Sequence, residues 1–508
     1  MTQTRSSTTP KKAIDSSVSS SSRINSKKNV VESSEAKSSK VFTYKDLRAN
    51  RDTNSCALIA IHGKVYDITT FIDRHPGGAI IKTALGRDGT ILFETHHNLV
   101  DDKGKVLKTL EKMQVGVLKD YKAVADFESP FALKMLERVR EVVKGKNHRE
   151  SFYGTTSVIF FYVTFFALVA LAFINGNLWI APLMGASMSV GHLAGHAGNH
   201  WSLSSKDWVN GFISVTCTSL WGLREKYWEF SHLISHHCYN YTDRDYIMEQ
   251  HVPLKYFRVR ESDAWRPYHA YQHLVYLTTP FTAFFLGFFM RLDCAPWIFF
   301  SPLLSFLKRN KDSPAPAPQF FASGSNVDES MLSETEDGIG GPSGNFVVFD
   351  TFLDNVKSII LSNVIWMPLF FWTWHRHGLL HAFLLNSIAF GTQASIVTKS
   401  LLTQHLAEDI KLEPYYSSSD DWYGMQVEAS TSIHGSAFYM WMTYAISYQT
   451  EHHMFPSLNP LLLIEVQPIV ARTAREFNLH YNELPNQNKA FSSVYRQFKK
   501  LSIKPIPK

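Results

Sequence analysis

Three short stretches of this chain place histidines at spacings that suit metal binding. They carry the patterns HxxxH, HxxxHH and QxxHH within residues 196–200, 232–237 and 449–453. The candidate metal-binding side chains are His196, His200, His232, His236, His237, Gln449, His452 and His453. On a helix, positions i and i+4 share a face, so His196 and His200 can offer two imidazoles to one metal.

A single HxxxH pattern also fits polar side chains that are hydrogen-bonded at the end of a helix. Three such clusters in one chain favour metal binding over that alternative, because buried polar groups without partners cost several kcal/mol in order of magnitude. Two metal ions with imidazole-rich shells would account for the whole set. Imidazole suits iron, copper and zinc, so the spacing alone does not name the ion.

A second kind of redox site is indicated near the amino end. Residues 71–78 read Phe-Ile-Asp-Arg-His-Pro-Gly-Gly, which places His75 on a tight turn where the backbone passes close to a flat cofactor. A second axial ligand is needed across the iron, and His96 and His97 are the candidates. Since zinc has no redox role, an electron-supplying partner favours iron in the histidine clusters.

The composition excludes several classes of protein. The chain has 508 residues, of which 45% are hydrophobic and 19% charged, so it is not mostly disordered. The 4 cysteines, against 22 histidines, are isolated, which excludes a disulfide scaffold and a cysteine-based zinc finger. The net charge of +6 is a weak argument for nucleic acid, and no nucleic-acid partner is expected.

Changes in composition along the chain predict its domains. Residues 1–40 contain 13 Ser and eight Lys or Arg and predict a disordered tail without a cleavable signal peptide. Residues 41–120 predict a small α+β domain, with strands at 57–61 and 64–67 around a turn at His62-Gly63. Three further segments follow: a charged linker at 121–150, a membrane domain at 151–485, and a carboxyl-terminal tail at 486–508.

The membrane domain is predicted from its apolar stretches. Residues 157–174 are free of charge and long enough for a membrane helix, and further spans are predicted at 178–190, 358–374 and 378–402. Shorter or proline-containing stretches at 209–222, 274–290 and 295–307 suit buried, interfacial or broken helices. Segment 310–345 predicts a flexible loop. Lysines and arginines beside the spans predict that both termini and the histidine clusters face the cytosol.

The amino-terminal domain resembles cytochrome b5. The resemblance covers residues 41–118 and rests on residues 65–69, the HPGG turn, residues 86–90 with Phe93, and Gly116-Val117 as a closing strand. It implies a b-type haem held by two histidines for one-electron transfer. It implies His75 as one ligand and His97, four residues after Phe93, as the other, with His96 as the alternative.

With this domain attached, the three histidine boxes resemble those of the cytochrome b5-fused front-end fatty acyl desaturases. Gln449 in place of the leading histidine of the third box is characteristic of that group, and Phe455-Pro456 and Gln426-Val427-Glu428 also resemble it. The resemblance covers most of residues 41–485. It implies a multidomain chain in which a small α+β haem domain precedes a mainly α-helical, four-span membrane desaturase domain with a cytosolic histidine-box cap.

The resemblance also implies the roles of individual residues. The seven box histidines would be iron ligands, and Gln449 would lie in or near the metal shell. His405, at the end of the fourth predicted span, is a candidate for a further ligand, ahead of His192 and His434. The family usually has Asp after the first histidine of box one, where this chain has Ala197, or Leu193 if His192 begins the box. Asn199 fits the family and favours the register 196–200.

The implied reaction removes two hydrogens from an unactivated acyl chain and forms a cis double bond, with O2 as oxidant at a di-iron site. NADH would supply electrons through a separate cytochrome b5 reductase and then through the fused haem. The substrate would be a fatty acyl lipid, carried on coenzyme A or on a phospholipid, in the endoplasmic reticulum membrane. The acyl length, the bond position, the acyl carrier and the oligomeric state do not follow from the sequence.

Three other functions remain open at this point. A b5-fused lipid hydroxylase would use similar iron chemistry and place oxygen on carbon. The same scaffold could desaturate the long-chain base of a sphingolipid. A non-catalytic, membrane-anchored electron carrier would need a metal site compromised at Ala197. The Gln449 box favours desaturation over hydroxylation, and the retained box histidines argue against the carrier.

Overall fold

The computed structural model describes residues 40–52, 56–100, 102–218, 228–240, 242, 245, 257–279, 360, 363–408, 410 and 420–505. The predicted tail at 1–39, the segment 295–307 and the loop 310–345 lie outside these residues. The described residues from Lys40 onward belong to one compact unit.

The amino-terminal domain is built on a four-stranded sheet in the order β1-β4-β3-β2. Its strands are β1 (Lys40–Phe42), β2 (Leu58–Ile61), β3 (Lys64–Asp67) and β4 (Gln114–Leu118). The predicted hairpin is confirmed: β2 and β3 pair antiparallel around His62 and Gly63, whose φ angles are +48° and +72°. Two positive φ angles in a two-residue loop match the right-handed twist of the flanking strands.

Helices cover the sheet and carry the candidate haem ligands. The helices are α1 (Tyr44–Asp52), α2 (Thr90–His96) and α3 (Lys103–Glu111), with 3₁₀ turns at Ile72–Arg74 and Gly78–Ala84. His75 lies between the two 3₁₀ turns, and His97 is the residue that ends α2. The mixed α and β elements agree with the predicted α+β class.

The segment predicted as a linker contains a packed helix. Helix α4 (Pro130–Val143) begins at Ser129, whose hydroxyl accepts the backbone N–H of Ala132 at 3.0 Å. Phe131, Met135 and Val139, spaced by four, form a buried stripe on α4. This stripe lies in the apolar core that α4 shares with α14 (Leu463–Glu476). The charged residues of 121–150 occupy the other face, which is why the composition indicated a linker.

Two helices among the described residues are long and apolar enough to cross a membrane. They are Phe152–Ile174, which comprises α5 (Phe152–Val169) and a π-helical end (Ala170–Ile174), and α10 (Leu379–His405). The other predicted spans correspond to α6 (Ala181–Asn199) and α9 (Trp366–His377), and residues 209–222 begin in α7 (Asp207–Thr218). The part of the chain that the structure describes therefore contains a mainly helical domain, and two of its helices are long and apolar enough to span a membrane.

The remaining elements follow the second histidine box. A π-helix (Glu229–His236) runs into α8 (His237–Tyr239). The later elements are α11 (Trp422–Glu428), β5 (Ser432–Ile433), α12 (Ala437–Met442), α13 (Gln449–Met454), β6 (Glu483–Leu484) and α15 (Gln487–Leu501). Strands β5 and β6 pair in parallel.

The carboxyl-terminal segment differs from the predicted tail. Residues 487–501 form α15, whose Ala490, Val494, Phe498 and Leu501 are all buried. Phe498 stacks on Phe257 with 4.6 Å between ring centroids. The apolar residues recur every three or four positions, which is the period of a helix packed on one face. The segment therefore packs into the core of the helical domain.

Candidate metal centres

The structure gathers eight buried histidines into two neighbouring groups. In each group the ring nitrogens that could bind a metal all lie within 4.8 Å of one another. The five-histidine group consists of His196, His200, His232, His237 and His452. The three-histidine group consists of His236, His405 and His453. His236 and His237 are adjacent in the chain and belong to different groups, so the two groups are neighbours.

The five-histidine group has more ring nitrogens than hydrogen-bond partners. Nε2 of His232 lies 2.7 Å from Nε2 of His196 and 3.1 Å from Nε2 of His237. Both ring nitrogens of His200 and Nε2 of His452 are buried without a hydrogen-bond partner among the described residues. Unpaired buried polar atoms are costly, and a bound metal would pair Nε2 of His452 and one ring nitrogen of His200. The group therefore fits a metal ion.

The three-histidine group is completed by an amide. Nε2 of His236 lies 3.2 Å from Nε2 of His405, and the Gln449 side-chain amide lies 3.0 Å from His405 and 3.1 Å from His453. The oxygen and nitrogen of a glutamine amide exchange places by a simple flip. In the flipped form, Oε1 of Gln449 faces the same point as the imidazoles, where an oxygen ligand would belong.

Carboxylate and amide oxygens hold the other nitrogens of this group. Nδ1 of His236 lies 2.8 Å from Oδ2 of Asp245, and Nδ1 of His453 lies 3.1 Å from Oε1 of Gln426. Asn240 donates to the same Gln426 oxygen at 3.2 Å. An acceptor at Nδ1 keeps the proton there and leaves the Nε2 lone pair available for a metal.

The second histidine box is π-helical, and this backbone geometry places its three histidines in two different metal-binding groups. In a π-helix, hydrogen bonds join residues five apart, so positions i and i+5 share a face. The backbone N–H of His237 accordingly donates to the carbonyl of His232, and both side chains lie in the five-histidine group. His236 is turned to the three-histidine group. A regular α-helix would instead have placed His232 and His236 on one face.

Box one enters the site from the end of α6. His196 and His200 are separated by four residues and both reach the five-histidine group, with 4.8 Å between their ring centroids. Ala197 points elsewhere: it is fully buried in an apolar cluster that also contains Ile213 and Cys217. His192 lies in neither group. The position where the family usually has Asp is therefore part of the helix packing in this chain.

Box three contributes one histidine to each group. His452 and His453 are consecutive on α13, so their side chains leave the helix about 100° apart. Burial lowers the pKa of His452 to about 3, so its ring is neutral at pH 7, which is the form that binds metals. The neighbouring Glu451 points to the other side, where it accepts hydrogen bonds from Tyr481 at 2.6 Å and Ser432 at 2.8 Å.

The candidate haem site lies between His75 and His97. Their ring centroids are 6.0 Å apart, which leaves room for one metal ion between two bonds of about 2 Å each. Nδ1 of His75 donates to the carbonyl of Gly78 at 3.0 Å, and Nδ1 of His97 donates to that of Phe93 at 2.9 Å. Both Nε2 atoms are thus free to bind iron. Burial lowers the pKa of His75, and that of His97 to about 4.

The structure distinguishes His96 from His97. His96 also donates from Nδ1 to a carbonyl, that of Leu92 at 2.9 Å, and its buried Nε2 has no partner among the described residues. However, His96 lines a different cavity of about 310 Å³, together with Arg149 and Ser457. It is His97 that makes the ring contact with His75.

Two further histidines and one supporting residue complete the comparison between the sequence predictions and the structure. His434 lies outside both groups and bonds to Tyr448 and to Glu483, each at 3.2 Å. His405, predicted as a candidate, lies in the three-histidine group. The supporting role of Asp245 was not predicted, although an Asp nine residues after a box histidine is the available signal.

These two sites define a class of protein: an oxidoreductase that couples a haem-binding electron-transfer domain to a buried, histidine-rich metal centre. Residues 43–119 match the cytochrome b5-like haem/steroid binding domain, and residues 176–485 match the fatty acid desaturase family. The chain belongs to the fatty acid desaturase family and carries an amino-terminal cytochrome b5-like domain.

Similar proteins share this organisation over most of their length. The chain is 26% identical to "Probable Delta(5) fatty acid desaturase C" of Dictyostelium discoideum, over 89% of this chain and 94% of the relative. It is also 26% identical to "Acyl-lipid (8-3)-desaturase" of Physcomitrium patens, over 91% and 92% of the two chains. It is 24% identical to "Delta(8)-fatty-acid desaturase 2" of Arabidopsis thaliana, over 84% and 86%.

Proposed function

We propose that the chain is a front-end desaturase that introduces a cis double bond into a polyunsaturated fatty acyl chain. The observation that carries this proposal is the pair of buried histidine groups with Gln449 at the second one, beside a bis-histidine haem site. The relatives named above as Delta(5), (8-3) and Delta(8) desaturases support the front-end class. The position of the new bond is a question for product analysis.

The two histidine groups would hold a pair of iron ions. The five-histidine group would bind one ion, and His236, His405, His453 and Gln449 would bind the other. When bound, the iron pair supplies the activation of O2 that side chains alone do not provide. Imidazole-rich ligation, combined with an electron-supplying haem domain, favours iron over redox-inert zinc.

The residues of the chain prepare and protect this site. Asp245 and Gln426 keep protons on Nδ1 of their histidines, so the Nε2 atoms remain aimed at one point. His200, His236 and His453 are at most 2% exposed, so bulk water is excluded from the reacting bond. Exclusion of water protects a strong oxidant from side reactions. In the overall reaction, O2 takes up two hydrogens from the acyl chain together with two protons and two electrons from the donor, and it becomes two waters.

The haem would lie between His75 and His97 and pass electrons one at a time. The source of the electrons in this proposal is NADH, through a separate cytochrome b5 reductase. Covalent fusion makes the encounter of haem and metal centre intramolecular, which raises the effective concentration of the donor.

We further propose a four-span topology in the endoplasmic reticulum membrane, with the haem domain, histidine boxes and both termini in the cytosol. The spans would include the two long apolar helices and the segments of α6 and α9. Lys144, Lys146 and Arg149 precede the first span and support the cytosolic side by the positive-inside rule. The substrate would be an acyl chain on a phospholipid or on coenzyme A, taken from the surrounding membrane lipid.

One experiment separates the alternatives. The full chain is expressed in cells that lack polyunsaturated lipids, candidate fatty acids and sphingoid bases are supplied, and products are resolved by mass spectrometry. An acyl product with two fewer hydrogens supports the proposal. An added oxygen would indicate a lipid hydroxylase, a desaturated sphingoid base a sphingolipid desaturase, and no product from any substrate an electron carrier.

A further inference from the structure

One hydrogen bond joins the haem site to the metal centre. The side-chain amide of Asn98 donates from Nδ2 to the backbone carbonyl of Met454 at 2.8 Å. Asn98 is 4% exposed and Met454 is fully buried, so the bond is shielded from water. Such a bond is stronger in a low-dielectric interior than at a surface.

Both ends of this bond are next to a candidate ligand. Asn98 follows His97, which faces His75 across the haem site, and Met454 follows His453 of the three-histidine group. A path of covalent bonds and one hydrogen bond therefore runs from His97 through Asn98 to Met454 and His453. No other residue needs to bridge the two sites along this path.

The amide of Asn98 is held in place from several sides. It also donates to the hydroxyl of Tyr423 at 3.2 Å, and the backbone carbonyl of Asn98 accepts from Nε of Arg140 at 2.9 Å. Tyr423 is 1% exposed and lies in the apolar core shared by both domains. The geometry of the bridge is thus fixed by packing rather than by a mobile side chain.

The segment that follows the other candidate haem ligand, His75, also makes hydrogen bonds to the rest of the chain. The backbone N–H of Ala79, in the loop after His75, donates to Oδ2 of Asp207 at 2.9 Å. Arg149 donates to the carbonyl of Gly77 at 3.3 Å. Both loops that carry haem ligands therefore contact the desaturase domain, which fixes one orientation of the haem domain.

We propose that Asn98 is a positioning residue that joins the two redox sites, so that electrons pass from the haem to the metal centre along His97, Asn98, Met454 and His453. The proposal rests on the proposed function. Transfer of one electron along this path would leave a bound haem iron ferric instead of ferrous and would convert one iron held by the histidine groups from ferric to ferrous. Two such electrons, supplied by NADH through the reductase, are used for each double bond.

The neighbouring His96 offers a competing route. It lies in the cavity shared with Ser457 and Leu458, which follow the third histidine box. No hydrogen bond of His96 among the described residues crosses to the desaturase domain. The test therefore compares the two routes.

The test uses the full chain, loaded with haem and iron, as wild type and in four variants. Asn98→Leu and Asn98→Asp both remove the side-chain N–H donor. Tyr423→Phe removes only the hydroxyl that accepts the second hydrogen bond of Asn98. His96→Gln interrupts the competing route. The haem content and the absorbance spectrum of the reduced haem are measured first. We expect both to be the same in all variants as in wild type, because none of these residues faces His75.

Stopped-flow absorbance then follows oxidation of the ferrous haem when O2 and an acyl substrate are added. We expect both Asn98 variants to slow this oxidation at least tenfold, and Tyr423→Phe and His96→Gln to change it less than twofold. Hydrogen exchange of iron-free protein gives an independent readout. Amides in residues 96–100 and 454–458 should exchange faster in the Asn98 variants than in Tyr423→Phe.

The outcomes are separable. If wild-type haem is not oxidised faster with substrate and O2 than without, the proposed function fails. If wild type responds and both Asn98 variants oxidise at the wild-type rate, the Asn98 path is wrong, even where hydrogen exchange shows a loosened contact. A tenfold slowing in His96→Gln with unchanged Asn98 variants would likewise overturn the path and assign it to His96.

Discussion

Nδ1 of His236 lies 2.8 Å from Oδ2 of Asp245, and both side chains are almost fully buried. This contact fixes the position of the proton on a histidine that faces the second metal site. It shows that the metal centre depends on residues outside the histidine boxes.

The first prediction concerns this contact. Replacement Asp245→Ala should lower the affinity for iron by about 10- to 100-fold, because His236 loses the acceptor that orients its ring. Asp245→Asn keeps an acceptor oxygen and should lose less. Iron titration of the purified protein, followed by metal analysis, measures both. Equal affinity in wild type and Asp245→Ala would show that the carboxylate does not support the ligand.

The haem ligands give the second prediction. His75→Ala and His97→Ala should each remove the b-type haem spectrum, because each deletes one of the two facing imidazoles. His96→Ala should keep the spectrum, since His96 lines a separate cavity. Absorbance of purified protein is sufficient. Loss of the spectrum in His96→Ala with retention in His97→Ala would reverse the assignment.

The third prediction separates the two cofactor sites. His452→Ala should abolish product and lower bound iron while the haem spectrum remains, because His452 belongs to the five-histidine group. His434→Ala is the matched control from the same part of the chain, since His434 bonds to Tyr448 and Glu483 outside both groups. Product formed at the wild-type rate by His452→Ala would contradict the metal assignment.

The fourth prediction concerns docking of the haem domain. Gly78 has φ +80°, and a Cβ atom there would lie 1.9 Å from Oδ1 of Asp207. Gly78→Ala should therefore destabilise the protein by about 1–2 kcal/mol or more from the positive φ alone. Gly211→Ala, in α7 with nothing within 4 Å, should instead stabilise the helix by about 1 kcal/mol. Thermal unfolding of both variants is the measurement, and equal melting temperatures would argue against the docked loop.

Much of the fold was accessible from the sequence because its signals are local. The β2–β3 hairpin is set by two apolar runs around His62-Gly63, and the histidine spacing indicated a metal site. The π-helix of box two was not predictable from steps of four, and it changes the partner of His232 from His236 to His237. Asp245 and Gln426 reach their histidines through tertiary contacts, which no spacing along the chain records.

At the domain edges, the average composition predicted the packed helices less well than the periodicity of apolar residues does. Residues 121–150 and 486–508 are rich in charge, yet α4 and α15 each bury a regular apolar stripe. Such helices keep their charged residues on the solvent side, so average composition hides the packed face. The family resemblance did indicate His405, whose Nε2 atom lies 3.2 Å from Nε2 of His236.

The position of the new double bond tests the proposed reaction most directly. A fatty acid that already contains one cis double bond is supplied to cells that express the full chain, and fragmentation of the derivatised product locates both bonds by mass spectrometry. The proposed front-end reaction predicts a second double bond between the existing one and the carboxyl end, absent in His452→Ala. A new bond on the methyl side, or an added oxygen in place of a bond, would contradict it.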